Sequence, residues 1–183
     1  MSVVAYDSLV EALAIPHRAK DAFWRLLGAG RDALPAVRAG LHHANADVRN
    51  YCCRYLDRFV DKDSMNDLMA MLDDSHPTVR AFALHALACD RCKQNDGCRI
   101  DGATVLPRAI ELLRNDIDAH VRAHAIGVIG RYVHDQPTAI AALHDAMASD
   151  RSPAVRKKAA WYVPGGPIYT RTAPKPVRVK RAA

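Results

Sequence analysis

Three closely spaced cysteines are the residues whose types and spacing could do chemistry in this sequence. Cys89, Cys92 and Cys98 follow the pattern C-x2-C-x5-C. Thiolates three residues apart near a helix end can coordinate one metal ion. The turn-forming residues 95–97 could bring Cys98 back toward the other two cysteines. A structural zinc ion takes four ligands, so this cluster is one ligand short.

Two histidines are candidates for the fourth ligand. His85 precedes Cys89 by four residues, so in a helix the two side chains project from the same face. His124 is the second candidate, because it projects from a similar face of the next repeat. The sequence therefore predicts one structural zinc ion, and no other cofactor, with these ligands: Cys89, Cys92, Cys98 and His85.

Two other interpretations of these cysteines stay open at this point. They could be an oxidised or redox-active pair, or three inert thiols. The redox interpretation is less favoured, because reactive C-x-x-C motifs lower their thiol pKa at a helix N-terminus and this one follows a predicted helix C-terminus. Cys52 and Cys53 occupy predicted core positions instead, where cysteine behaves as a small apolar residue.

A fourfold repeat predicts the elements that position these residues. The dipeptide Val-Arg recurs at spacings of 31, 42 and 34 residues, at positions 48, 79, 121 and 155. Four residues after each valine stands a small side chain, and eight residues after it a larger apolar one, so these positions share one face of a helix. The small residues are Cys52, Ala83, Ala125 and Ala159.

Each Val-Arg helix is preceded by another segment with apolar residues at helical spacing, so each unit reads as a helical hairpin. One hairpin cannot bury both of its apolar stripes, and neighbouring hairpins must therefore stack and share a core. We predict an all-α protein, an α-solenoid of about four hairpins. Residues 1–30 are predicted to form an N-terminal helical cap, and residues 31–163 the repeats with a Cys-rich insertion at 89–99. Residues 164–183 are predicted to form a basic flexible tail that is extended or disordered from Ile168 onward.

An acid stands five residues before the valine in the last three units, and His43 takes its place in the first. With the Val-Arg, small and apolar positions that follow, this pattern resembles the HEAT-repeat family, which includes the repeats of phycobilisome-lyase-like proteins. The resemblance implies a structural ladder between repeats, formed by the turn aspartates and the arginines. The first unit has His43 in place of the aspartate, so its contribution to the ladder stays open. The implied ladder residues are Asp74, Asp116, Asp150, Arg80, Arg122 and Arg156.

Some members of that family are enzymes, and each enzymatic branch requires particular residues that can be sought in the sequence. The deoxyhypusine hydroxylase branch holds its metals with His-Glu pairs, but this chain has only Glu11 and Glu111, and neither adjoins a histidine. A HEAT-like DNA glycosylase is a lesser alternative, for which Trp24, Trp161 and Tyr162 could supply aromatic rings. No residue selects the phycobilisome-lyase-like branch. We therefore expect a non-enzymatic scaffold or adaptor.

The charge distribution separates two kinds of partner. The net charge of +6 divides into −3 for residues 1–150 and +9 for the remainder. A body without excess cations favours a protein partner on the concave face, where the candidate residues are Phe82, His85, His124, Lys158 and Trp161. The alternative is a nucleic-acid or ribosome-associated factor anchored by the basic end. Its candidate residues are Arg156, Lys157, Lys158, Arg171, Lys175, Arg178, Lys180 and Arg181.

The sequence also indicates where the protein resides. No run approaches the roughly 20 apolar residues that a membrane span needs, so no membrane partner is expected. The first 13 residues carry Asp7 and Glu11 where a secretory signal would carry basic residues. An odd number of cysteines fits a reducing compartment. We expect a cytoplasmic protein.

Overall fold

The computed structural model describes residues 3–89 and 101–175, which fold into eleven α-helices without a strand in those ranges. The prediction of an all-α solenoid is confirmed. Among the described residues, no helix combines the length and the apolar character needed to cross a membrane. The helices are α1 (Val3–Ala12), α2 (Pro16–Gly28), α3 (Leu34–Gly40), α4 (Ala46–Phe59), α5 (Lys62–Ala70), α6 (Pro77–Ala88), α7 (Gly102–Asn115), α8 (Ala119–Ile129), α9 (Pro137–Ser149), α10 (Pro153–Ala160) and α11 (Pro167–Thr172).

Eight of these helices form four consecutive hairpins. Helices α3 and α4, α5 and α6, α7 and α8, and α9 and α10 pack as pairs, and short 3₁₀ segments precede α3 and follow α5. The second helices of the hairpins, α4, α6, α8 and α10, also pack on one another in succession and more extensively than the first helices do. The stack is therefore tighter on the side of the second helices, which form its inner layer.

Each second helix carries a buried stripe that includes one small residue. The valine of each Val-Arg pair and the residue four positions later are fully buried, and the larger apolar residue eight positions later is nearly or fully buried. Small side chains let packed helices approach closely, and larger apolar ones fill the core between them. The buried small residues are Cys52, Ala83, Ala125 and Ala159. Cys52 therefore lies in the core as predicted, and its burial raises the pKa of the thiol to about 12.

The helix starts follow local chemistry. Pro77 and Pro153 open α6 and α10 as predicted, because a proline at the first helical position lacks the N–H that would otherwise be unsatisfied. The Asp118 carboxylate accepts hydrogen bonds from the His120 and Val121 amides at the start of α8. At the start of α4 the cap is Asn45, whose side chain accepts from the Asp47 amide.

The two ends of the stack are covered differently. Helices α1 and α2 pack on each other and against α3 and α4, which covers the first hairpin. At the other end the structure departs from the predicted extended chain, because residues Pro167–Thr172 form α11. The Ile168 and Tyr169 amides donate to the Trp161 carbonyl at 2.9 and 3.0 Å, and the Tyr169 ring packs 4.5 Å from the His134 ring. These contacts anchor six residues of the basic end on the last repeat.

A ladder of arginine–aspartate pairs connects consecutive hairpins. The arginine after each of the first three repeat valines donates two hydrogen bonds to the aspartate in the turn of the next hairpin, with nitrogen–oxygen distances of 2.6 to 2.9 Å. A third donor of each guanidinium reaches carbonyl oxygens of its own turn. The pairs are Arg49–Asp74, Arg80–Asp116 and Arg122–Asp150.

The residues at the two ends of the ladder depart from the arginine–aspartate pattern. His43, which replaces the first aspartate, accepts the Asn45 amide on Nδ1 at 2.9 Å, as each ladder aspartate accepts the amide two residues later. The His43 ring therefore preserves the turn without an acid. Arg156, in the last hairpin, donates to the Asp150 carbonyl at 2.6 Å, and no later repeat supplies a carboxylate in the described part of the chain. Arg49 joins the ladder although its own turn carries His43.

Hydrogen bonding determines the ionisation of the ladder. Burial opposes the charged form of Asp150, but hydrogen bonds from Arg122 and from the Ser152 amide outweigh burial and lower the pKa of the carboxyl. The same balance lowers the pKa of Asp74 and Asp116. Because these pKa values lie below those of the unfolded chain, the carboxylates stabilise the fold above about pH 4 and lose that effect as the pH falls through the lowered values.

We predict that Asp150→Asn lowers the free energy of unfolding by about 3 kcal/mol at pH 7, because it leaves the buried Arg122 guanidinium without its counter-charge. The carboxamide oxygen of the variant can still accept the Ser152 amide, so the turn itself is kept. The deficit relative to the parent should shrink as the pH falls below about 4, where Asp150 becomes protonated. Urea unfolding followed by circular dichroism at several pH values measures both effects.

The control for this experiment is Asp145→Asn. Asp145 pairs with Arg114 at 3.3 Å, but their side chains are 65% and 56% exposed, so the change should cost less than about 1 kcal/mol. Equal losses in the two variants, or a deficit for Asp150→Asn that stays constant down to pH 3, would contradict a stabilising role for the buried ladder.

Candidate binding site on the inner surface

The inner surface is formed by side chains of α4, α6, α8 and α10 that follow each repeat valine by three or six residues. The residues at the third position are all half-buried. They are Tyr51, Phe82, His124 and Lys158. The sixth position adds Arg54, His85 and Trp161, so that the predicted partner-binding residues lie along one surface of successive helices.

An arginine held among aromatic rings forms the N-terminal half of the inner surface. The guanidinium carbon of Arg54 lies 5.1 Å from the ring centres of Phe23 and Tyr51 and 5.5 Å from that of Phe82. The rings belong to α2, α4 and α6, so one cation contacts the cap and two repeats. Cation–π attraction of this kind contributes about 0.5–1 kcal/mol for each exposed pair. The sequence analysis did not single out Arg54.

A groove of about 630 Å³ occupies the C-terminal half, between α6, α8, α10 and α11. Gly130 forms part of its floor, since a Cβ atom there would run into the Tyr162 ring. The groove offers nitrogen and sulfur side chains, and no carboxylate lines it within the described residues. Its chemically active lining residues are His85, Cys89, His124, Arg131, His134, Lys158 and Arg171.

The histidines of the groove form a continuous series of rings. The His85 and His124 ring centres lie 6.0 Å apart, and those of His124 and His120 lie 4.5 Å apart, each pair edge to face. Burial lowers the pKa of His124 to about 4, with further lowering from His120, Lys158 and His85. Burial also lowers the pKa of Lys158. At neutral pH the His124 imidazole is therefore uncharged and can act as a hydrogen-bond donor or acceptor.

Two of the four predicted zinc ligands are brought together, with an acid that the sequence analysis missed. His85, Cys89 and Asp57 place one ligand atom each within 4.8 Å of one another. Cys92 and Cys98 lie outside the described residues, so the four-ligand zinc site stays a prediction. The sequence did contain a signal for Asp57. It stands nine residues after the repeat valine, where the other units have the uncharged residues Ala88, Gly130 and Pro164.

The remaining predicted residues are distributed over several environments. Trp161 is 39% exposed at the end of α10. Within the alternative nucleic-acid set, Lys158 and Arg171 line the groove, and Lys157 and Lys175 are exposed. The residues of that set outside the described ranges are Arg178, Lys180 and Arg181. The structure therefore brings only part of the basic set together, and its role stays a prediction.

The repeat identified in the sequence and the hairpins of the structure agree with a known family. The family model described as HEAT repeats matches residues 34–100 and 104–165, which is more than half of the chain. The chain belongs to the HEAT-repeat family. The first match begins at α3 and the second ends within the segment between α10 and α11, so together they span the four hairpins that build the inner surface.

Several solved structures share the fold of this chain. A chain from the complex of CpcE and CpcF of phycocyanin lyase from Nostoc sp. PCC7120 is similar, with a TM-score of 0.70, 22% identity, and coverage of 86% of this chain and 97% of that chain. A designed armadillo repeat protein in complex with the peptide (KR)4 gives a TM-score of 0.55 at 18% identity, covering 85% of this chain and 79% of that chain. A second designed armadillo repeat protein gives 0.53 at 16% identity, covering 92% and 93%. These identities support the fold alone, and no curated protein sequence matches the chain.

We predict that the His124 imidazole titrates near pH 4 rather than near the usual value of about 6.5. Nuclear magnetic resonance of the imidazole protons from pH 3 to 8, with His124→Gln to assign the signal, measures this midpoint. Because the unfolded chain binds the proton more readily, neutral His124 also makes stability fall as the pH drops from about 6.5 toward 4.

Lys158→Gln should raise the His124 midpoint, because it removes a neighbouring cation, while Lys157→Gln on the exposed side of α10 should leave it in place. A midpoint near 6.5 in the parent protein would contradict the buried placement of His124 in the groove.

Proposed function

We propose that this protein is a non-enzymatic adaptor whose inner surface binds an acidic segment of a protein partner. The observation that carries the proposal is the groove of about 630 Å³, because its lining places Lys158, Arg171 and several histidines around one space without a carboxylate among the described residues. Cationic and imidazole groups arranged in this way complement aspartate or glutamate side chains.

The state of Lys158 supports an anionic partner. Its ammonium is half-buried, and no carboxylate pairs with it among the described residues. Burial lowers the pKa of Lys158 because the charged form has lost part of its hydration. A carboxylate from a partner would return a favourable interaction to that charge, in a groove where it is less screened than on an open surface.

The N-terminal half of the inner surface supports an extended partner rather than a small molecule. Tyr51, Arg54 and Phe82 continue the row that begins with Lys158 and His124, so the available surface crosses all four hairpins. Trp24, which is 56% exposed, adjoins the Phe23 ring at 6.4 Å and extends the apolar part of this surface. Aromatic residues beside arginine are typical of the side chains that dominate protein interfaces.

The structural comparisons also support a protein or peptide partner, although the peptide in one of them is basic rather than acidic. The designed armadillo repeat protein is described in complex with a peptide of alternating lysine and arginine, and the CpcE–CpcF structure is described as a complex of two proteins. Helical solenoids use their concave surfaces for extended segments. The groove here is lined by basic groups, so we infer a partner segment of the opposite sign.

The alternative is that the basic end binds nucleic acid or the ribosome. Arg156 already donates to the Asp150 carbonyl, and Lys158 and Arg171 face a groove rather than an open basic surface. These engagements reduce the number of cations that could contact phosphates together. We therefore favour a protein partner, and the experiment below separates the two.

We predict that benzoylphenylalanine in place of exposed His120, photo-activated in the native host, gives a discrete protein adduct. His120 lies beside His124 on the inner surface, whereas His144 is exposed on α9 in the outer layer and is the matched control position. Denaturing electrophoresis and mass spectrometry detect the adduct. It should survive nuclease treatment, because the proposed partner is a protein.

Lys158→Glu, introduced together with the cross-linker, should reduce the adduct at least about tenfold, since it places a carboxylate against an acidic segment. Lys157→Glu makes the same charge change on the exposed side of α10 and should have little effect. Equal adducts from positions 120 and 144, an adduct made of nucleic acid, or equal yields from the two lysine variants would contradict the proposal.

A further inference from the structure

We infer that Asp57, His85 and Cys89 form a transition-metal site, best suited to Zn²⁺, at the edge of the inner-surface groove. The inference does not depend on the proposed partner, and it replaces the sequence-derived ligand set with three residues from two helices. Asp57 comes from the last turns of α4, His85 from the last turn of α6, and Cys89 directly follows α6.

The three donors converge on one point. A carboxylate oxygen of Asp57, one ring nitrogen of His85 and the Cys89 sulfur all lie within 4.8 Å of one another, and His85 Nε2 is 3.5 Å from Asp57 Oδ2. Ligands of a tetrahedral zinc ion lie about 3.5 Å apart, as bond lengths of about 2.0–2.3 Å require. Side-chain movements of about 1 Å would therefore close the site around an ion.

A buried oxygen without a partner supplies the second, independent observation. Asp57 is only 7% exposed, and its Oδ1 atom is buried without a hydrogen-bond partner among the residues that the structure describes. An unsatisfied buried carboxylate oxygen is costly, so the fold must gain something from placing an acid there. A metal ion that takes this oxygen as a ligand would satisfy it and neutralise the buried charge.

The geometry favours a metal over a catalytic relay. In a nucleophile–histidine–acid relay, the cysteine and the acid contact opposite nitrogens of the ring. Here a single nitrogen of His85 lies near both the acid and the sulfur, so the donors surround one point instead of forming a chain. Nitrogen, oxygen and thiolate donors together are the set that Zn²⁺ accepts.

The position of the site leaves one side of the ion accessible. His85 and Cys89 line the groove while Asp57 lies behind them in the core, so a bound ion would face the groove with its fourth coordination position. His124 lies on that side, with its ring centre 6.0 Å from that of His85. The fourth ligand can therefore be water or a donor group within the groove.

Cobalt(II) tests the site, because it substitutes for zinc and reports thiolate and tetrahedral ligation by absorption. We expect the reduced, chelator-treated full chain to bind one Co²⁺ with a cobalt–thiolate charge-transfer band, and added Zn²⁺ to displace it. Asp57→Asn, His85→Ala and Cys89→Ser should each weaken Co²⁺ binding at least about tenfold, and Cys89→Ser should remove the thiolate band.

Matched controls separate ligation from indirect effects. Asp47→Asn on the exposed side of α4 and His144→Ala on α9 should leave Co²⁺ affinity unchanged, and circular dichroism of the metal-free variants verifies their fold. The double variant Cys92→Ser/Cys98→Ser should retain binding. Three results would each overturn the inference. They are the absence of a cobalt–thiolate band when Co²⁺ is added to the full chain, a Co²⁺ affinity that Asp57→Asn leaves unchanged, and loss of binding only in the double variant.

Discussion

The close approach of the four second helices is the constraint on which the rest of this structure depends. Each of these helices carries a fully buried small residue, in the series Cys52, Ala83, Ala125 and Ala159. Helices that touch at small side chains run near the short end of the usual 8–10 Å separation. Side chains that project from the same position of successive helices therefore become neighbours, although they are 30 or more residues apart in sequence.

The chemistry of the inner surface follows from that spacing. His85 and His124 come within 6.0 Å because α6 and α8 are in contact, and Asp57 reaches His85 because α4 packs on α6. The arginine–aspartate ladder contributes a second requirement, since each pair forms only when consecutive hairpins are in register. Apolar contacts supply the affinity between hairpins, and the buried pairs select one arrangement of them.

The sequence was sufficient for the architecture because its signals are local and repeated. Val-Arg at helical spacing from small and apolar residues, together with Pro77 and Pro153 at helix starts, predicts the hairpins and their inner faces. The ladder aspartates were also identified, since they recur at one position before the valine. A pattern that recurs within every unit can be identified without knowing which helices touch.

The remainder of the site could not be predicted, because it depends on contacts between helices. Asp57 stands out in the sequence as the one charged residue at its repeat position, but its role emerges only when α4 and α6 place it beside His85. The aromatic surroundings of Arg54 come from three different helices. Helix α11 was missed because its six residues carry no amphipathic pattern, and contacts with Trp161 and His134 hold it in place. Residue types alone do not reveal such juxtapositions.

The stability of Ala125→Glu tests the shared core most directly. Ala125 is fully buried on α8, so the account predicts that an unpaired carboxylate there lowers the free energy of unfolding by about 3 kcal/mol or more. Ala141→Glu on the exposed side of α9 should change it by less than about 0.5 kcal/mol. If urea unfolding gave the two variants the same stability as the parent, Ala125 would not lie in a shared core, and the inner surface would not exist as described.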